Sequence, residues 1–177
     1  MNTLSWNVRG LGNDRTFQIL RSHVLEFKPD IVFLSETLCN HAWLEIIKIR
    51  LGFSGKLVVD KVWHSGGICL FWSDNVLVDL LGFSRHHIDV LVSSHTSLRW
   101  RFTGVYGQPN HNLRSNFWKF FTQLGHGFDW PWLCGGDLNE ILFPHEKRGG
   151  ATRSTVLMEN FREALASTGL TDMGFDG

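Results

Sequence analysis

Residues 30–36 strongly constrain the fold, because four consecutive apolar residues, 31–34, stand there without a polar residue between them. Such a run predicts a strand that is covered on both faces, since a strand with one face in water alternates apolar and polar residues. Glu36 follows this strand, and open sheets present their functional groups at strand ends. An acid that merely ends a strand in solvent is the alternative interpretation.

A second stretch, residues 131–142, predicts a buried strand that ends in a functional site. Apolar residues lead to Gly135 and Gly136, and Asp137 and Asn139 follow two residues apart. The glycines allow a turn and the close approach of another group, and alternation along an extended chain would place Asp137 and Asn139 on the same side. A carboxylate beside a carboxamide can hold a water or a phosphate oxygen. An Asp-x-Asn turn that only closes the strand is the alternative.

Hydrophobic periodicity predicts helices that alternate with strands at first and a meander of strands in the middle of the chain. Helices are predicted over residues 13–28, 40–51, 112–124 and 154–168, and further strands over 3–8, 56–59, 67–72, 76–81, 88–92 and 98–107. The side chains predicted to face inward are Phe17, Leu20, Val24, Phe27, Trp43, Ile46, Ile47, Leu51, Leu98, Trp100, Phe102, Leu113, Phe117, Phe120, Phe121, Leu124, Met158, Phe161 and Leu165. Arg99 and Arg101 are predicted to face outward. The aromatic residues of the third helix are therefore expected in a core and not on a base-stacking platform.

Length and composition predict one globular domain over residues 1–177. The chain has a mass of 20.3 kDa and is 43% hydrophobic and 19% charged, which excludes a disordered protein. Its formal net charge is zero, which argues against a module that grips nucleic acid non-specifically. A contact with phosphate would need a local patch, for which Lys147, Arg148 and Arg153 are the candidates.

Targeting and cysteine patterns predict an intracellular protein. The three cysteines lie far apart in apolar surroundings, which is typical of buried thiols in a reducing compartment. No stretch has the character of a signal peptide or a membrane span. Nothing in the sequence indicates a membrane or an obligate protein partner.

Several polar residues stand at the ends of different predicted strands: Asn7, Glu36, Tyr106, and Asp137 with Asn139. Tyr106 is the only tyrosine in the sequence and is flanked by glycines; plain packing is its alternative role. If these strand ends converge, they form an oxygen-lined pocket suited to Mg²⁺ or Mn²⁺. Such a metal polarises a phosphoryl oxygen and activates water, Asp137 could orient that water, and Tyr106 could stabilise or protonate oxygens. The predicted chemistry is phosphodiester hydrolysis.

Five short motifs resemble, in order, the signature blocks of the endonuclease/exonuclease/phosphatase superfamily. They are Ser5-Trp6-Asn7 with Arg9-Gly10-Leu11-Gly12, Pro29-Asp30-Ile31 with Leu34-Ser35-Glu36-Thr37, Gly66-Gly67, Gly104-Val105-Tyr106-Gly107 and Gly136-Asp137-Leu138-Asn139. The blocks around Asn7 and Asp137, with Glu146-Lys147-x-Gly149-Gly150, are similar to the apurinic-type endonuclease domain of plant LINE-type (non-LTR) retrotransposons.

The resemblance implies a role for each matching residue. Asn7 would support the metal site, Glu36 would ligate Mg²⁺, and Tyr106 would contact the scissile phosphate. Asp137 would orient or deprotonate the attacking water, and Asn139 would hold the phosphate. Contacts to phosphate or nucleic acid are expected from Arg9, Lys147 and Arg148.

The resemblance also implies a fold, a substrate and a location. The fold would be α/β, a four-layer sandwich of two mixed sheets with helices outside. The substrate would be DNA and the location nuclear, although RNA or a small phosphoester remain alternatives because superfamily members share these blocks.

The family pattern ends in a closing Asp-His and a further strand pair, which are expected beyond Gly177. We therefore expect a domain that is incomplete at its C-terminus, with its last strands missing. Loss of a general acid or base lowers rates by about 10²–10⁴-fold, and an uncovered apolar sheet edge favours association or instability. A degenerate retroelement fragment with this fold and little activity is thus the alternative to an active endonuclease. Val8, Leu38 and Leu138 depart from the common family residues at positions that tolerate change.

Overall fold

The computed structural model describes residues 1–61, 66–94, 97–127 and 129–174. Within these residues the chain forms eight strands and four α-helices, which confirms the predicted α/β class. The strands are β1 (Thr3–Asn7), β2 (Ile31–Ser35), β3 (Gly55–Val59), β4 (Ile68–Trp72), β5 (Leu77–Ser84), β6 (His87–Ser94), β7 (Ser97–Tyr106) and β8 (Trp132–Asp137). The helices are α1 (Asp14–Phe27), α2 (His41–Leu51), α3 (Arg114–Leu124) and α4 (Thr155–Thr168).

The strands form two mixed sheets of four strands each. The first has the order β1-β2-β4-β3, in which β1 and β2 are parallel and Asn7 lies opposite Ser35. The second has the order β5-β6-β7-β8, an antiparallel meander followed by the parallel pair β7 and β8, in which Tyr106 lies opposite Asp137. Each sheet therefore contains one parallel pair whose carboxyl ends carry predicted site residues.

The chain divides into two compact units. The first comprises Met1–Tyr106 and Trp130–Asp137 and holds both sheets with α1 and α2; the second comprises Gly107–Asp129 and Leu138–Gly177 and holds α3 and α4. The single domain that the sequence predicts stays a prediction.

Two apolar cores stabilise the first unit. One lies between the sheets, where Phe33 and Leu70 of the first sheet join Val90 and Phe102 of the second. The other lies where α1 and α2 pack on the first sheet, and includes Leu20, Leu44, Ile47, Leu34 and Phe71. All five residues of β2 are buried, which confirms that this strand is covered on both faces.

The second unit is held by aromatic packing between its two helices. Trp118 of α3 stacks on Phe161 of α4 with ring centroids 4.6 Å apart. Phe117 and Phe121 are buried beside them. The aromatic residues of α3 thus form a core, as predicted.

Helix ends follow the chemistry of their sequence. The side chains of Asn13 and Asn40 accept hydrogen bonds from the backbones of Thr16 and Trp43 and cap α1 and α2. Gly169 ends α4 in the left-handed conformation, with φ of 70°. None of the helices that the structure describes is long and apolar enough to cross a membrane.

Three predicted helix faces need correction. Phe27, Trp43, Ile46 and Leu113 are exposed, although they were predicted to face inward. In α2 the buried residues are Leu44 and Ile47, because the apolar stripe is rotated relative to the predicted face.

Arg101 lies on the face of β7 opposite to Phe102, as predicted, but that position is buried and Arg101 is only 1% exposed. It forms a bidentate ion pair with Asp89, which itself is buried. The side chain of Leu98 lies outside the described part of the chain. Strand β8 was predicted to be buried, but it is the last strand in the order of its sheet and is half-buried.

The three cysteines are unpaired, and Cys39 and Cys69 are buried. Burial raises the pKa of each of the three thiols. The predicted burial is thus confirmed for Cys39 and Cys69, while Cys134 is half-buried.

Candidate active site

Four predicted site residues meet where the carboxyl ends of the two parallel strand pairs face each other. Asn7 Nδ2 lies 2.9 Å from Glu36 Oε1 and 2.7 Å from Asp137 Oδ2. The hydroxyl of Tyr106 lies 3.2 Å from Glu36 Oε1. Two hydrogen bonds, one from Asn7 to Asp137 and one from Tyr106 to Glu36, therefore join the first sheet to the second.

The side-chain amide of Asn7 lies at the centre of this cluster. Carboxylate oxygens accept hydrogen bonds, so the two carboxylates face the amide nitrogen of Asn7, which donates to both. The amide oxygen of Asn7 accepts a hydrogen bond of 3.2 Å from the backbone of Arg9. Because Glu36 Oε1 and Asp137 Oδ2 bond to the same nitrogen, the two carboxylates lie close to each other.

The backbone around Glu36 adopts an unusual conformation. Glu36 has φ of 53°, and its neighbours Arg9 and Leu38 have φ of 47° and 53°. Residues other than glycine rarely adopt this left-handed region, and a persistent case indicates a conformation imposed by its surroundings. Backbone hydrogen bonds from Gly10 to Glu36 (2.8 Å) and from Leu11 to Thr37 (2.9 Å) hold the two loops together.

Tyr106 is a neutral hydrogen-bond donor in this site. Its side chain is 8% exposed. Burial raises the pKa of Tyr106 to about 12, and the negative charges of Glu36 and Asp137 act in the same direction. The phenol therefore keeps its proton throughout the physiological range.

Gly136 lets β8 approach β7 closely enough to place Asp137. Gly136 has φ of 145°, and a Cβ atom there would lie 1.9 Å from the carbonyl oxygen of Val105. No other residue type fits this position without moving the backbone. The close approach predicted for the two glycines is thus confirmed at Gly136, whereas a Cβ atom at Gly135 would make only ordinary contacts, at 3.6 Å or more.

Asn139 belongs to the second unit, where its side chain donates a hydrogen bond of 2.9 Å to the carbonyl of Gly107. Strand β8 ends at Asp137, and Asn139 has φ of 56°. Strand alternation therefore does not extend to Asn139, and the argument that placed it beside Asp137 was wrong. Its role in holding phosphate stays a prediction.

The basic residues predicted to meet phosphate have different surroundings. Arg9 and Arg148 are exposed. Lys147 donates a hydrogen bond to the carbonyl of Ala151. Arg153 Nε lies 2.9 Å from Glu140 Oε1, an ion pair without the direction of a good hydrogen bond. Arg153 therefore forms an ion pair with Glu140. The predicted phosphate contacts of Arg9, Lys147 and Arg148 stay predictions.

Glu140 is a buried acid that the sequence did not single out. Its carboxylate also lies 2.9 Å from Arg114 Nη1, and Arg114 in turn donates to the carbonyls of Gln108 and Pro109. The cluster ties the segment that follows Tyr106 to the segment that follows Asp137. Both lie within the second unit, and no periodic pattern reveals an ion pair of this kind.

His86 is a second residue that the sequence does not single out, because its partners are backbone groups of a distant strand. The backbone of Tyr106 donates to the carbonyl of His86 at 2.8 Å, and His86 Nδ1 lies 2.9 Å from the carbonyl of Tyr106. His86 thus contacts both backbone groups of a candidate catalytic residue.

The donor atoms of the cluster fit a hard divalent cation. Glu36 Oε2 has no hydrogen-bond partner in the part of the chain that the structure describes, and the hydroxyls of Ser35 and Thr37 beside it are buried without one. Among the described residues no three His, Cys, Asp or Glu side chains gather as a ligand set. One or two carboxylates are nonetheless what Mg²⁺ commonly takes from a protein, because it keeps several waters.

The family assignment agrees with this geometry. Residues 4–176 match the model of the Endonuclease/Exonuclease/phosphatase family, and the chain belongs to that family. This confirms the superfamily that the motifs predict. A comparison with curated proteins finds no match.

Several solved structures share the fold. The endonuclease domain of TRAS1, a telomere-specific non-LTR retrotransposon, has a TM-score of 0.69 at 12% identity, covering 98% of this chain and 75% of that one. AP endonuclease LMAP from Leishmania major has a TM-score of 0.68 at 16% identity, covering 94% and 66%. The human Nocturnin catalytic domain has a TM-score of 0.61 at 14% identity, covering 78% and 64%. At these identities the likeness establishes the fold alone, and the chain spans less than two thirds of the Nocturnin structure.

Proposed function

We propose that this chain is a divalent-cation-dependent phosphodiesterase, and more narrowly a DNA endonuclease of the nicking or apurinic type with a retrotransposon origin. The observation that carries the proposal is the hydrogen-bonded cluster of Asn7, Glu36, Tyr106 and Asp137 at the facing ends of two parallel strand pairs. Family membership and the fold shared with AP endonucleases and a retrotransposon endonuclease support it. A nuclear location belongs to the same proposal.

Each residue has a proposed task that its surroundings support. Glu36 would hold Mg²⁺, or Mn²⁺ in its place, through the oxygen that does not bond to Asn7 or Tyr106. When bound, the ion would polarise a phosphoryl oxygen and lower the pKa of the attacking water. Asn7 keeps the carboxylates of Glu36 and Asp137 near each other without a direct contact between like charges.

Asp137 and Tyr106 would control the positions of protons during the reaction. Asp137 would accept the proton of the attacking water, because its carboxylate is directed at the cluster and accepts hydrogen bonds. Tyr106 would donate its hydroxyl hydrogen bond to a phosphate oxygen, since its raised pKa keeps the phenol protonated.

Cleavage assays with three substrates test the proposal. The whole chain is incubated with supercoiled or abasic DNA, with matched RNA and with a small phosphodiester, in Mg²⁺ and in a chelator. We expect Mg²⁺-dependent cleavage of the DNA, and its loss in Asp137→Ala. Asp74→Ala serves as the control, because Asp74 is an exposed acid that follows β4 at the end of the first sheet opposite to Glu36.

The outcomes separate the proposal from its alternatives. Equal cleavage by Asp137→Ala and the wild type, or cleavage that a chelator leaves unchanged, would contradict it. Cleavage of RNA or of the small ester alone would keep the reaction class and reject the DNA substrate. A chain that folds and cleaves nothing would favour a degenerate retroelement fragment.

A further inference from the structure

The turn between β5 and β6 presents an arginine at the site end of the second sheet. In the sheet, His87 pairs with Val105, so the turn that precedes His87 lies next to Tyr106. The two backbone hydrogen bonds between His86 and Tyr106, of 2.8 and 2.9 Å, fix the turn to the strand end. Arg85, directly before His86, is exposed.

The hydrogen bonds define the tautomer of His86. Arg85 Nε lies 3.1 Å from His86 Nε2, and a guanidinium can only donate, so Nε2 is an unprotonated acceptor. A carbonyl can only accept, so Nδ1 carries the proton that bonds to the carbonyl of Tyr106. Burial lowers the pKa of His86, which favours the same neutral ring. A continuous chain of donors therefore runs from Arg85 through His86 to the backbone of Tyr106.

Further contacts make this turn rigid. The backbone of His86 donates to Ser84 Oγ at 3.1 Å, and Ser84 Oγ lies 2.7 Å from His87 Nδ1. A side chain that is oriented before binding loses less conformational entropy when a ligand binds. Arg85 is thus better prepared for binding than an ordinary surface arginine.

Among the residues that the structure describes, no acid neutralises the charge of Arg85. In the described ranges no carboxylate forms an ion pair with it, and its two Nη groups have no hydrogen-bond partner there. Buried or interior arginines of this chain behave differently, since Arg101 and Arg114 are paired with acids. An unpaired, oriented guanidinium matches the geometry of a phosphate, which it can hold through two parallel hydrogen bonds.

We propose that Arg85 binds a backbone phosphate of a polynucleotide that neighbours the scissile phosphate, and that His86 is the positioning residue that orients it. The inference rests on the proposed function and deepens it by assigning the contact that distinguishes a polynucleotide from a small phosphoester. A small phosphoester has no second phosphate for Arg85 to reach. A polynucleotide gains this contact in addition to those at the scissile group.

The test measures oligonucleotide binding without turnover. Binding of a labelled DNA duplex to the whole chain is followed by fluorescence anisotropy in Ca²⁺ over a range of salt concentrations. For Arg85→Ala we expect affinity to fall on the order of 10-fold at low salt. The slope of log affinity against log salt should decrease by about 0.9, the value for one phosphate contact. Arg85→Lys should keep the slope and recover part of the affinity.

The matched control is Arg99→Ala, which removes the same charge from an exposed position at the other end of β7. Tyr106 stands seven positions further along the chain, about 23 Å along a strand. Arg99→Ala should leave affinity and salt slope unchanged. His86→Asn should lower affinity while keeping the salt slope, because it disturbs orientation without removing charge. In the cleavage assay Arg85→Ala should raise KM for DNA and leave hydrolysis of a small phosphodiester unchanged.

The results distinguish this inference from the proposed function. If the wild type cleaves DNA and Arg85→Ala has the same affinity and salt slope as Arg99→Ala, the inference is overturned and the proposed function stands. If the wild type hydrolyses only small esters and binds no oligonucleotide, or neither binds nor cleaves, both are overturned. If it binds without cleaving and the slope changes as expected, the contact stands and the endonuclease proposal fails.

Discussion

The two parallel strand pairs that meet at the site are built in different ways. The pair β1 and β2 relies on apolar burial: all of β2 is buried, and Val32 and Leu34 face the helices while Ile31 and Phe33 face the second sheet. The pair β7 and β8 is apolar on its inner face and polar on its outer face. There Arg101 and Thr103 bond to Asp89, and Trp132 Nε1 donates to Thr103 at 2.7 Å.

The difference shows two solutions to one problem, that of holding polar side chains at a fixed strand end. Around the first pair the apolar cores fix the strands, and the loops beyond them take strained backbone angles at Glu36, Arg9 and Leu38. In the second pair, a fully bonded polar network links β6, β7 and β8 at their outer face. Buried networks of this kind specify register when every member is bonded.

The largest effects should come from the two acids, and they should differ in kind. We expect Glu36→Gln to raise the Mg²⁺ concentration for half-maximal cleavage by at least the roughly 10–100-fold that loss of an outer partner of a metal ligand costs, and to recover at high Mg²⁺. Asp137→Asn should lower kcat by about 10²–10⁴-fold without recovery. Cleavage rates of both variants measured over a range of Mg²⁺ concentrations distinguish the two effects. Recovery of Asp137→Asn by Mg²⁺ and not of Glu36→Gln would reverse the assigned roles.

The buried ion pair of the second strand pair should have the next largest effect, on stability. Asp89→Ala leaves the buried guanidinium of Arg101 without its partner, and we expect the free energy of unfolding to fall by about 3–5 kcal/mol. Denaturant unfolding measures the loss. The double variant Asp89→Leu with Arg101→Met should recover most of it, because no buried charge remains. If Asp89→Ala were as stable as the wild type, the ion pair between Asp89 and Arg101 would not stabilise the strand pair β7 and β8.

The sequence predicted the first strand pair better than the second. An unbroken apolar run has one common explanation, a strand covered on both faces, and β2 confirms it. Alternation of arginines with apolar residues in β7 has two explanations, because a polar face can meet water or a buried acid. Asp89, on a neighbouring strand, decides between them, and sequence spacing does not contain that information.

The same limit applies to the site. Strand ends and motif order predicted Asn7, Glu36, Tyr106 and Asp137, and their hydrogen bonds bring the four together. His86 and Glu140 were missed because their partners are backbone groups or distant arginines. Asn139 was argued from alternation that ends two residues earlier. Local patterns therefore predict which residues stand at strand ends, while contacts beyond the strand depend on the fold.

A moderate effect is expected where a glycine of the second sheet packs against a phenylalanine ring of the first. A Cβ atom at Gly104 of β7 would lie 2.2 Å from the ring of Phe33 in β2. Gly104→Ala should therefore lower the free energy of unfolding by about 1–3 kcal/mol through overpacking. Gly82→Ala in β5 is the control, because no atom lies within 4 Å of its Cβ position. Equal thermal unfolding of the two variants would contradict close contact between the sheets at this point.

Titration of Tyr106 gives a smaller effect that is confined to alkaline pH. Because the chain has one tyrosine, near-ultraviolet absorbance reports its ionisation alone. The folded pKa of about 12 exceeds the ordinary value of 10.0, so the unfolded chain loses the proton first. The free energy of unfolding should thus fall as pH rises from about 10 to about 12. This part of the decline should be absent in Tyr106→Phe, and a tyrosine that titrates near 10 in the folded chain would contradict its burial beside Glu36 and Asp137.

The smallest effect concerns the strained loop of the first strand pair and has an unusual sign. Leu38 is partly exposed and has φ of 53°, a conformation that costs most residues roughly 1–2 kcal/mol but that asparagine tolerates. Leu38→Asn should therefore raise the free energy of unfolding by about 0.5–1 kcal/mol. The same change at Leu25, which is exposed on helix α1, should lower it by about 0.5 kcal/mol, because asparagine is a weaker helix former. Opposite shifts in the denaturant midpoint would locate the strain in the loop; shifts of the same sign would show that the left-handed angle at Leu38 carries no strain and that apolar burial alone holds the first pair.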